Sequence, residues 1–258
     1  MSRNRITKTE RLYSQRQSAT GFTLVELLVV LGVIALLAAL LLPALARSKS
    51  RALATACGSN LRQVNLAFLL YLDDSQGVFP TAAAKSSLGA QPEDWIWWQM
   101  ETSAAMMRDP ASGSIMRHLG GYDTRLFQCP ADRDAKSREA AWRSNPGQEQ
   151  YFYSYSLNAA SDRGMASYFS KDRSMMFLNR LDAVRRPAQK IMLAEEKGGA
   201  GDGPGTASID DGRWVPQGYP LTSRHEGRAT VAFADGHLER VKREFADSDH
   251  PEHFDPEL

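Results

Sequence analysis

Residues 21–46 read GFTLVELLVVLGVIALLAALLLPALA, and this stretch decides the architecture of the chain. From Leu27 to Ala46 it contains no charged residue over twenty positions. A helix rises about 1.5 Å per residue, so twenty helical residues span the roughly 30 Å hydrocarbon core of a bilayer. The sequence therefore predicts one membrane-spanning helix near the N-terminus.

Basic residues lie on both sides of this apolar stretch. Residues 1–21 contain five of them against the single acidic residue Glu10, whereas Arg47, Lys49 and Arg51 follow the stretch. Because cytoplasmic flanks carry an excess of lysine and arginine, this balance favours a cytoplasmic N-terminus. The rest of the chain is then expected on the far side of the inner membrane, in the periplasm.

Three kinds of N-terminal segment fit this pattern: a secretory signal peptide, a plain membrane anchor and a processed pilin-like segment. Residues 44–46 offer a small-x-small cleavage site, but the apolar stretch exceeds the about 7–15 residues of a signal-peptide core. A plain anchor does not account for Glu26, because an ionisable side chain at the start of a span is costly without a partner.

The sequence GFTLVE at 21–26, followed at once by the apolar stretch, resembles the prepilin-type cleavage and methylation motif of type IV pilins and type II secretion pseudopilins. The resemblance implies that prepilin peptidase cleaves between Gly21 and Phe22 and that Phe22 becomes the N-methylated terminus. It also implies that Glu26 attracts the terminal amine of a neighbouring subunit during assembly, and that Pro43 kinks the helix. Pairing of Glu26 with its own terminal amine, or a place among the lipid headgroups, remains an alternative.

An apolar stripe predicts that the helix continues beyond Pro43. Its members recur at steps of three and four residues, the period of an amphipathic helix. Gly77 and Pro80 follow as stop signals, so the helix is expected from Thr23 to Leu72. The stripe, which is made to dock on a globular head, consists of Leu53, Cys57, Leu61, Val64, Phe68 and Tyr71.

Residues 81–258 are expected to form that head around an antiparallel sheet. Asp235-Gly236 between two alternating stretches predicts a hairpin with positive φ at both turn positions. The strand-like stretches are 126–128, 151–157, 190–195, 230–233 and 238–242, with short helices within 92–107 and 112–119. The sequence thus predicts an α+β, pilin-like fold with a leader (1–21), an assembly helix (22–46), an amphipathic continuation (47–80) and a periplasmic head (81–258).

Residues 225–236 carry a second resemblance. His225, nine intervening residues, Asp235 and Gly236 are similar to the H-(nine residues)-D-G domain that accompanies prepilin-type N-termini in a family of secretion-associated proteins. The stretches CGSNLRQ from Cys57, FQCP at 127–130 and YSLN at 155–158 are also similar to that family. This resemblance implies a class of protein and not a ligand.

Two sets of side chains could bind a metal ion. His225, Asp235 and His237 could converge across the hairpin, since imidazole and carboxylate suit divalent ions, although the turn already accounts for Asp235. Asp202, Asp210 and Asp211 offer oxygen ligands in a loop, and the resemblance to pseudopilins makes calcium the ion to consider there. Their spacing matches no calcium motif, so no cofactor is assigned from the sequence.

Cys57 and Cys129 are the two cysteines of the chain. In the periplasm disulfides persist, so a bridge between them is expected to tie the long helix to the head. The alternative is a free thiol, since Cys57 already fits the apolar stripe.

The sequence shows no pattern typical of an enzyme. Glu195 and Glu196 are neighbours on a predicted strand, where they point to opposite faces and cannot flank one bond. The glycine-rich loop at 201–205 lacks the lysine and the helix start that a phosphate site needs. The formal net charge of +1 gives no field for nucleic acid.

Two functional classes remain open at this point. The first is a structural subunit that assembles with identical or related pilin-like subunits into a type II secretion pseudopilus or a pilus-like filament. The second is a membrane-tethered extracytoplasmic module that binds a glycan, a peptide or a metal and uses the pilin-like segment for sorting. Trp95, Trp97 and Trp98 could stack on a sugar or contact a subunit, but aromatic clusters are more often core.

Overall fold

The computed structural model describes residues 23–83, 93–96, 113–121, 123–144, 151–159, 164–170, 174–199, 209–216, 218–246 and 249–258. Several predicted features lie outside these residues: the leader, the cleavage site at Gly21 and Phe22, Trp97, Trp98, Asp202 and most of the helix expected in 92–107. The chain divides into two compact units, Met1–Ala46 and Arg47–Leu258.

The long helix α1 spans Leu24–Asp74 and contains Pro43. Its bounds confirm the helix expected from Thr23 to Leu72 to within two residues. The helix ends where Gln76 and Gly77 both adopt left-handed backbone, with φ of 55° and 82°. The Gly77 N–H then donates to the Leu72 carbonyl at 2.6 Å and satisfies one of the orphan carbonyls of the last turn.

Within the first unit, α1 presents apolar side chains on every side. The large hydrophobic residues from Leu24 to Leu45 are 47 to 75% exposed. A water-soluble protein rarely exposes a contiguous apolar surface of this kind. The helix is long and apolar enough to cross a membrane. This segment is therefore a single-pass membrane anchor.

In the described part of the head, the structure has one further α-helix and seven strands. Helix α2 spans Ala135–Ser144. The strands are β1 (Tyr155–Asn158), β2 (Tyr168–Phe169), β3 (Met176–Phe177), β4 (Ile191–Glu195), β5 (Arg213–Trp214), β6 (Arg228–Phe233) and β7 (Leu238–Lys242). Among the described residues, β2 and β3 pair with each other, and the other five strands form one sheet in the order β5-β1-β4-β6-β7.

The main sheet is mixed rather than purely antiparallel. Strands β1, β4, β6 and β7 are neighbours in that spatial order. They pair antiparallel, and antiparallel pairing was expected from the sequence. The short edge strand β5 instead runs parallel to β1, with Leu157 opposite Arg213. A two-residue strand has no alternating pattern, so it could not be predicted from the sequence.

Apolar residues cover both faces of this sheet. On one face, Tyr155 and Met192 belong to a core that includes the buried side of α1 from Cys57 to Leu72. On the other face, Val231 packs in a second core with Trp214 and Phe254. Along β6 the buried side chains alternate between the two cores, as the pleat of a strand requires. The sheet is thus the middle layer of the head.

Two strand predictions need correction. Residues 126–128 were expected to be extended, but Thr124–Phe127 form a 3₁₀ helix, because the Asp123 side chain accepts the Arg125 N–H at 3.0 Å. The aromatic stretch 151–157 pairs as a strand only from Tyr155 onward. The Tyr151 and Tyr153 rings before it lie edge to face at 5.3 Å and fill the core instead.

Trp95 confirms the expectation that a tryptophan here belongs to the core. Its side chain is fully buried between Phe68 and Phe127, with ring centroids 5.4 and 6.1 Å away. The indole N–H donates to the carbonyls of Ala82 at 3.2 Å and Gly212 at 3.0 Å. This tryptophan is therefore not available to stack on a sugar.

Candidate functional site

The start of α1 is closed by a reciprocal pair of hydrogen bonds between Thr23 and Glu26. The Glu26 N–H donates to Thr23 Oγ1 at 3.2 Å. In return, Glu26 Oε2 accepts the Thr23 N–H and the Thr23 hydroxyl, both at 2.8 Å. This is a capping box, in which a threonine and a glutamate three residues apart satisfy the orphan donors of the first turn.

The capping box gives Glu26 a local role that the sequence analysis missed. The pattern Thr-x-x-Glu at the start of an apolar helix was sufficient to find it. Both bonds that Glu26 accepts go to Oε2. The described residues offer no hydrogen-bond donor to Oε1, and the side chain is exposed. One carboxylate oxygen thus holds the helix end, and the other faces outward.

A second polar site lies buried in the head, where four side chains from distant parts of the sequence converge. Cys57 comes from the buried stripe of α1, Cys129 from the turn after the 3₁₀ helix, Glu195 from the end of β4 and His225 from the turn before β6. Their ligand atoms all lie within 4.8 Å of one another, and all four side chains are buried. We call these four residues the buried cluster.

The His225 ring lies at the centre of these contacts. Its Nε2 lies 3.3 Å from Cys129 Sγ and 3.0 Å from Glu195 Oε1. Its Nδ1 is buried and has no hydrogen-bond partner among the described residues. Cys57 Sγ approaches from the helix and lies 3.2 Å from the Tyr155 hydroxyl. Every polar contact of the imidazole therefore runs through one nitrogen.

Cys57 and Cys129 do not form the expected bridge in the structure. Both are free and buried. Their sulfur atoms share the buried cluster, within 4.8 Å of each other, but the S–S distance of a disulfide is about 2.05 Å. The structure thus brings the two cysteines together as free thiols beside an imidazole and a carboxylate.

Electrostatics in the buried cluster favour a carboxylate beside an imidazolium. Burial alone would raise the pKa of Glu195, but the hydrogen bond with His225 and the charge of Arg224 outweigh it and lower the pKa to about 2. Burial alone would likewise lower the pKa of His225, yet its bonds with Cys129 and Glu195 raise the pKa to about 10. Burial raises the pKa of the Cys129 thiol above its usual value.

This arrangement is not that of a nucleophile activated by a base. In such a relay the histidine uses one ring nitrogen for the nucleophile and the other for the carboxylate that orients it. Here Cys129 and Glu195 both contact Nε2. The Cys129 side chain is also buried, with 2% of the residue exposed, so a substrate has no direct access to the sulfur. The geometry is that of side chains converging on a common point.

Neighbouring groups hold these side chains in place. Glu195 Oε2 accepts the Thr230 N–H at 3.0 Å, which turns Oε1 toward His225. The Ala131 N–H donates to Cys129 Sγ at 3.4 Å. The Arg224 guanidinium lies 3.7 Å from Glu195 Oε1 and 3.0 Å from Asp132 Oδ2, and so joins the buried cluster to a second ion pair.

The structure corrects the first metal set predicted from the sequence. His237 Nδ1 lies 2.6 Å from Asp235 Oδ1, close to the surface. His225 instead contacts Cys129 and Glu195 in the core. Among the described residues, the group of His, Cys, Asp and Glu side chains that could hold one ion is the buried cluster, and of the predicted three only His225 belongs to it. The sequence could have indicated this set, because CGSNLRQ, FQCP and the H-(nine residues)-D-G stretch each supply one member.

The calcium prediction stays untested in part. Asp202 lies outside the described residues. Asp211 Oδ1 accepts the Arg213 N–H at 2.8 Å, and Asp210 Oδ2 accepts the Tyr219 hydroxyl at 3.3 Å. Both carboxylates thus serve to fold the loop beside β5.

Asp235 and Gly236 form the turn of the β6–β7 hairpin, which confirms the predicted hairpin. The Gly236 N–H donates to the Phe233 carbonyl at 3.0 Å, and the Phe233 N–H to the His237 carbonyl at 2.9 Å. The loop is therefore a three-residue turn. The expectation of positive φ at both Asp235 and Gly236 was wrong, because only Gly236 adopts it, at 97°. Asn65 of α1 donates to the Gly236 carbonyl at 2.8 Å, so the turn docks on the helix.

Replacing Gly236 by alanine is expected to lower the free energy of unfolding by about 1–2 kcal/mol, the cost of a left-handed L-residue. The new Cβ would also lie 2.9 Å from Leu69 Cδ1. Gly58→Ala is the matched control, because nothing lies within 4 Å of its added Cβ and alanine favours a helix interior. Urea unfolding of both variants tests this; equal midpoints for the two would show that the turn does not constrain the head.

Comparison with known protein families gives one match. Residues 16–42 match the family model described as the prokaryotic N-terminal methylation motif. Searches of curated proteins and of solved structures returned no match. The matched residues include the capping box and most of the apolar stretch. They indicate a type IV pilin-like or pseudopilin-like N-terminus that prepilin peptidase processes.

Proposed function

We propose that the protein is a pseudopilin-like structural subunit that assembles through its N-terminal helix into a type II secretion pseudopilus or a pilus-like filament. The match of residues 16–42 to the N-terminal methylation motif carries this proposal. Two features of the structure support it. The apolar side chains from Leu24 to Leu45 are exposed, and Glu26 keeps an outward-facing oxygen at the start of the span.

Cleavage after Gly21 would create a positively charged amine on Phe22, four residues before Glu26. In the membrane, a buried charge that loses its partner costs several kcal/mol, so a carboxylate at this depth selects neighbours that bring an amine to it. Because Oε2 is held by Thr23, Oε1 is the oxygen that can accept such an amine. The lateral contact between subunits would then be fixed in axial register.

The subunit is proposed to sit in the inner membrane with its N-terminus in the cytoplasm and its head in the periplasm. The five basic residues before the apolar stretch support this orientation. Its partners are then prepilin peptidase, the inner membrane, and identical or related pilin-like subunits. The head would be displayed on the outside of the filament.

The mature N-terminus is the direct test of this proposal. In a host with an active prepilin peptidase, the chain is expected to begin at N-methylated Phe22, because the peptidase cuts after the glycine that precedes the apolar span. Edman sequencing and intact mass of the purified protein measure this. A peptidase-deficient host is the control and should yield the precursor.

Two results would contradict the proposal. A mature chain beginning at Arg47 would mean that a signal peptide releases the head. A chain that keeps its first 21 residues in the peptidase-positive host would mean that the segment is a plain anchor.

A further inference from the structure

We propose that Cys57, Cys129, Glu195 and His225 bind one zinc ion in the core of the head. The four side chains come from four separate parts of the chain, and their sulfur, nitrogen and oxygen atoms meet within 4.8 Å. Nothing in the pilin-like function requires them to meet. The proposal is therefore independent of filament assembly.

The donor set identifies the metal. Two thiolates, an imidazole and a carboxylate oxygen are ligands of zinc, which prefers four of them at the corners of a tetrahedron. With bonds of about 2.0–2.3 Å, neighbouring ligand atoms of such a tetrahedron lie about 3.3–3.8 Å apart. The observed separations of 3.3 Å from Cys129 Sγ to His225 Nε2 and 3.0 Å from that nitrogen to Glu195 Oε1 need only small shifts. Calcium and magnesium, which prefer all-oxygen ligands, do not fit.

The surroundings contain the donors that support metal-bound thiolates. The Ala131 N–H already points at Cys129 Sγ from 3.4 Å, and the Tyr155 hydroxyl lies 3.2 Å from Cys57 Sγ. Thr230 holds the far oxygen of Glu195, which leaves Oε1 to face the centre. Outer contacts of this kind orient ligands and are typical of zinc sites.

Charge also balances around a zinc ion. On binding, each thiol loses its proton to solvent, and the proton on His225 Nε2 leaves with them, so that the ring nitrogen can coordinate. Two thiolates and the Glu195 carboxylate then carry one negative charge more than Zn²⁺ neutralises. The buried Arg224 guanidinium, 3.7 Å from Glu195 Oε1, supplies the compensating positive charge.

Such a site would be structural and not catalytic. Catalytic zinc keeps an open position for water or substrate, whereas here four protein ligands complete the tetrahedron and all four are buried. The ion would connect the Cys57 turn of α1 to the end of β4. It would also bind the two turns that carry Cys129 and His225. The ion would therefore tie the long helix to the head, as a Cys57–Cys129 disulfide was expected to do.

The metal content of the full-length protein tests the proposal. The chain is purified in detergent micelles without chelators, and elemental mass spectrometry is expected to find about one zinc per chain. After removal of zinc under reducing conditions, addition of Co²⁺ should give the sulfur-to-cobalt charge-transfer band and the intense visible bands of a tetrahedral cobalt thiolate site. These spectra are read on the unaltered chain, so they do not depend on the folding of any variant.

Variants locate the ion within the chain. Cys129→Ser and Glu195→Gln should reduce bound zinc at least tenfold after dialysis against a weak competing chelator. Glu196→Gln is the matched control, because it changes the adjacent buried glutamate of the same segment and should retain the metal. His237→Gln is a second control at the surface histidine and should also retain the metal.

Three results would overturn the proposal. The first is wild-type protein that holds no zinc and gives no cobalt spectrum when reduced. The second is a Cys57–Cys129 disulfide in the protein as isolated, seen as two cysteines that react with an alkylating agent only after reduction. The third is Cys129→Ser protein that folds and keeps zinc at the wild-type ratio.

Discussion

Replacing Glu26 by glutamine is expected to abolish crosslinked multimers in cells while leaving cleavage intact. Glutamine at this position preserves the capping box with Thr23, because either Glu or Gln can accept the N-cap donors. It removes only the charge that would attract a neighbour's terminal amine. Chemical crosslinking followed by immunoblotting measures the multimers, and intact mass confirms that the variant is processed.

Thr23→Ala is the complementary control. It deletes the Thr23 hydroxyl, which donates to Glu26 Oε2 and accepts the Glu26 N–H, but it keeps the charge of Glu26. We expect multimers to persist, with the start of the helix destabilised by about 1 kcal/mol. If Glu26→Gln also forms wild-type multimers, the carboxylate does not set the register, and the alternative of a membrane-tethered binding module gains support. A glycan array would then be the next measurement on the head.

The opposite pattern is equally informative. Loss of multimers in Thr23→Ala but not in Glu26→Gln would assign assembly to the shape of the helix end and not to charge. The pair of variants thus separates two roles of one residue, which a substitution by alanine at Glu26 would remove together.

Long periodic features of this chain could be predicted from the sequence. The bounds of α1 follow from an uninterrupted apolar and then amphipathic pattern, and Gly77 stops the helix as expected. The hairpin of β6 and β7 follows from Asp235-Gly236 between alternating stretches. In each case a local pattern and the tertiary environment favour the same structure.

Other elements depend on contacts that no local pattern records. Helix α2 has little apolar periodicity, and the side chain of Asp132 supports its start by accepting the Ala135 N–H at 3.1 Å. The residues 126–128 read as a strand, but the Asp123 cap turned them into a 3₁₀ helix. In both elements, an aspartate side chain accepts a hydrogen bond from a nearby backbone N–H and so favours the local fold.

The buried cluster was the hardest feature to predict. Its four members lie at least 30 residues from one another along the chain, so only the completed sheet brings them together. In the sequence, Glu195 stands beside Glu196, and a local pattern relates it only to such neighbours. Its partners Cys57, Cys129 and His225 come from other segments.

Asp132→Asn is expected to cost about 3–5 kcal/mol of unfolding free energy, the usual effect of breaking a buried ion pair from one side. Asp132 Oδ2 accepts Arg138 Nη2 and the Ser154 hydroxyl, both at 2.7 Å, and Arg224 Nη1 lies 3.0 Å away. The attraction of the two guanidinium groups outweighs burial and lowers the pKa of Asp132. An asparagine would leave both cations buried without a counter-charge.

The exposed pair of Asp182 and Arg180 provides the control, because both side chains are largely in solvent. Asp182→Asn should change stability by less than about 1 kcal/mol, since surface ion pairs contribute little. Urea unfolding of the full chain in micelles, followed by tryptophan fluorescence, measures both variants. Similar midpoints for the two would mean that the Arg138 and Arg224 contacts with Asp132 do not stabilise the head.

The expected loss of unfolding free energy at Asp132 is large compared with the stability of a whole domain. Domains of this kind are stable by about 5–15 kcal/mol, so 3–5 kcal/mol is a large share of the total. Asp132 links the start of α2, through Ala135, to Arg224 and from there to Glu195 in the buried cluster. If zinc binds there, Asp132→Asn should also weaken metal retention without removing a ligand. The zinc content of this variant would then test whether Arg224 links the ion pair to the metal site.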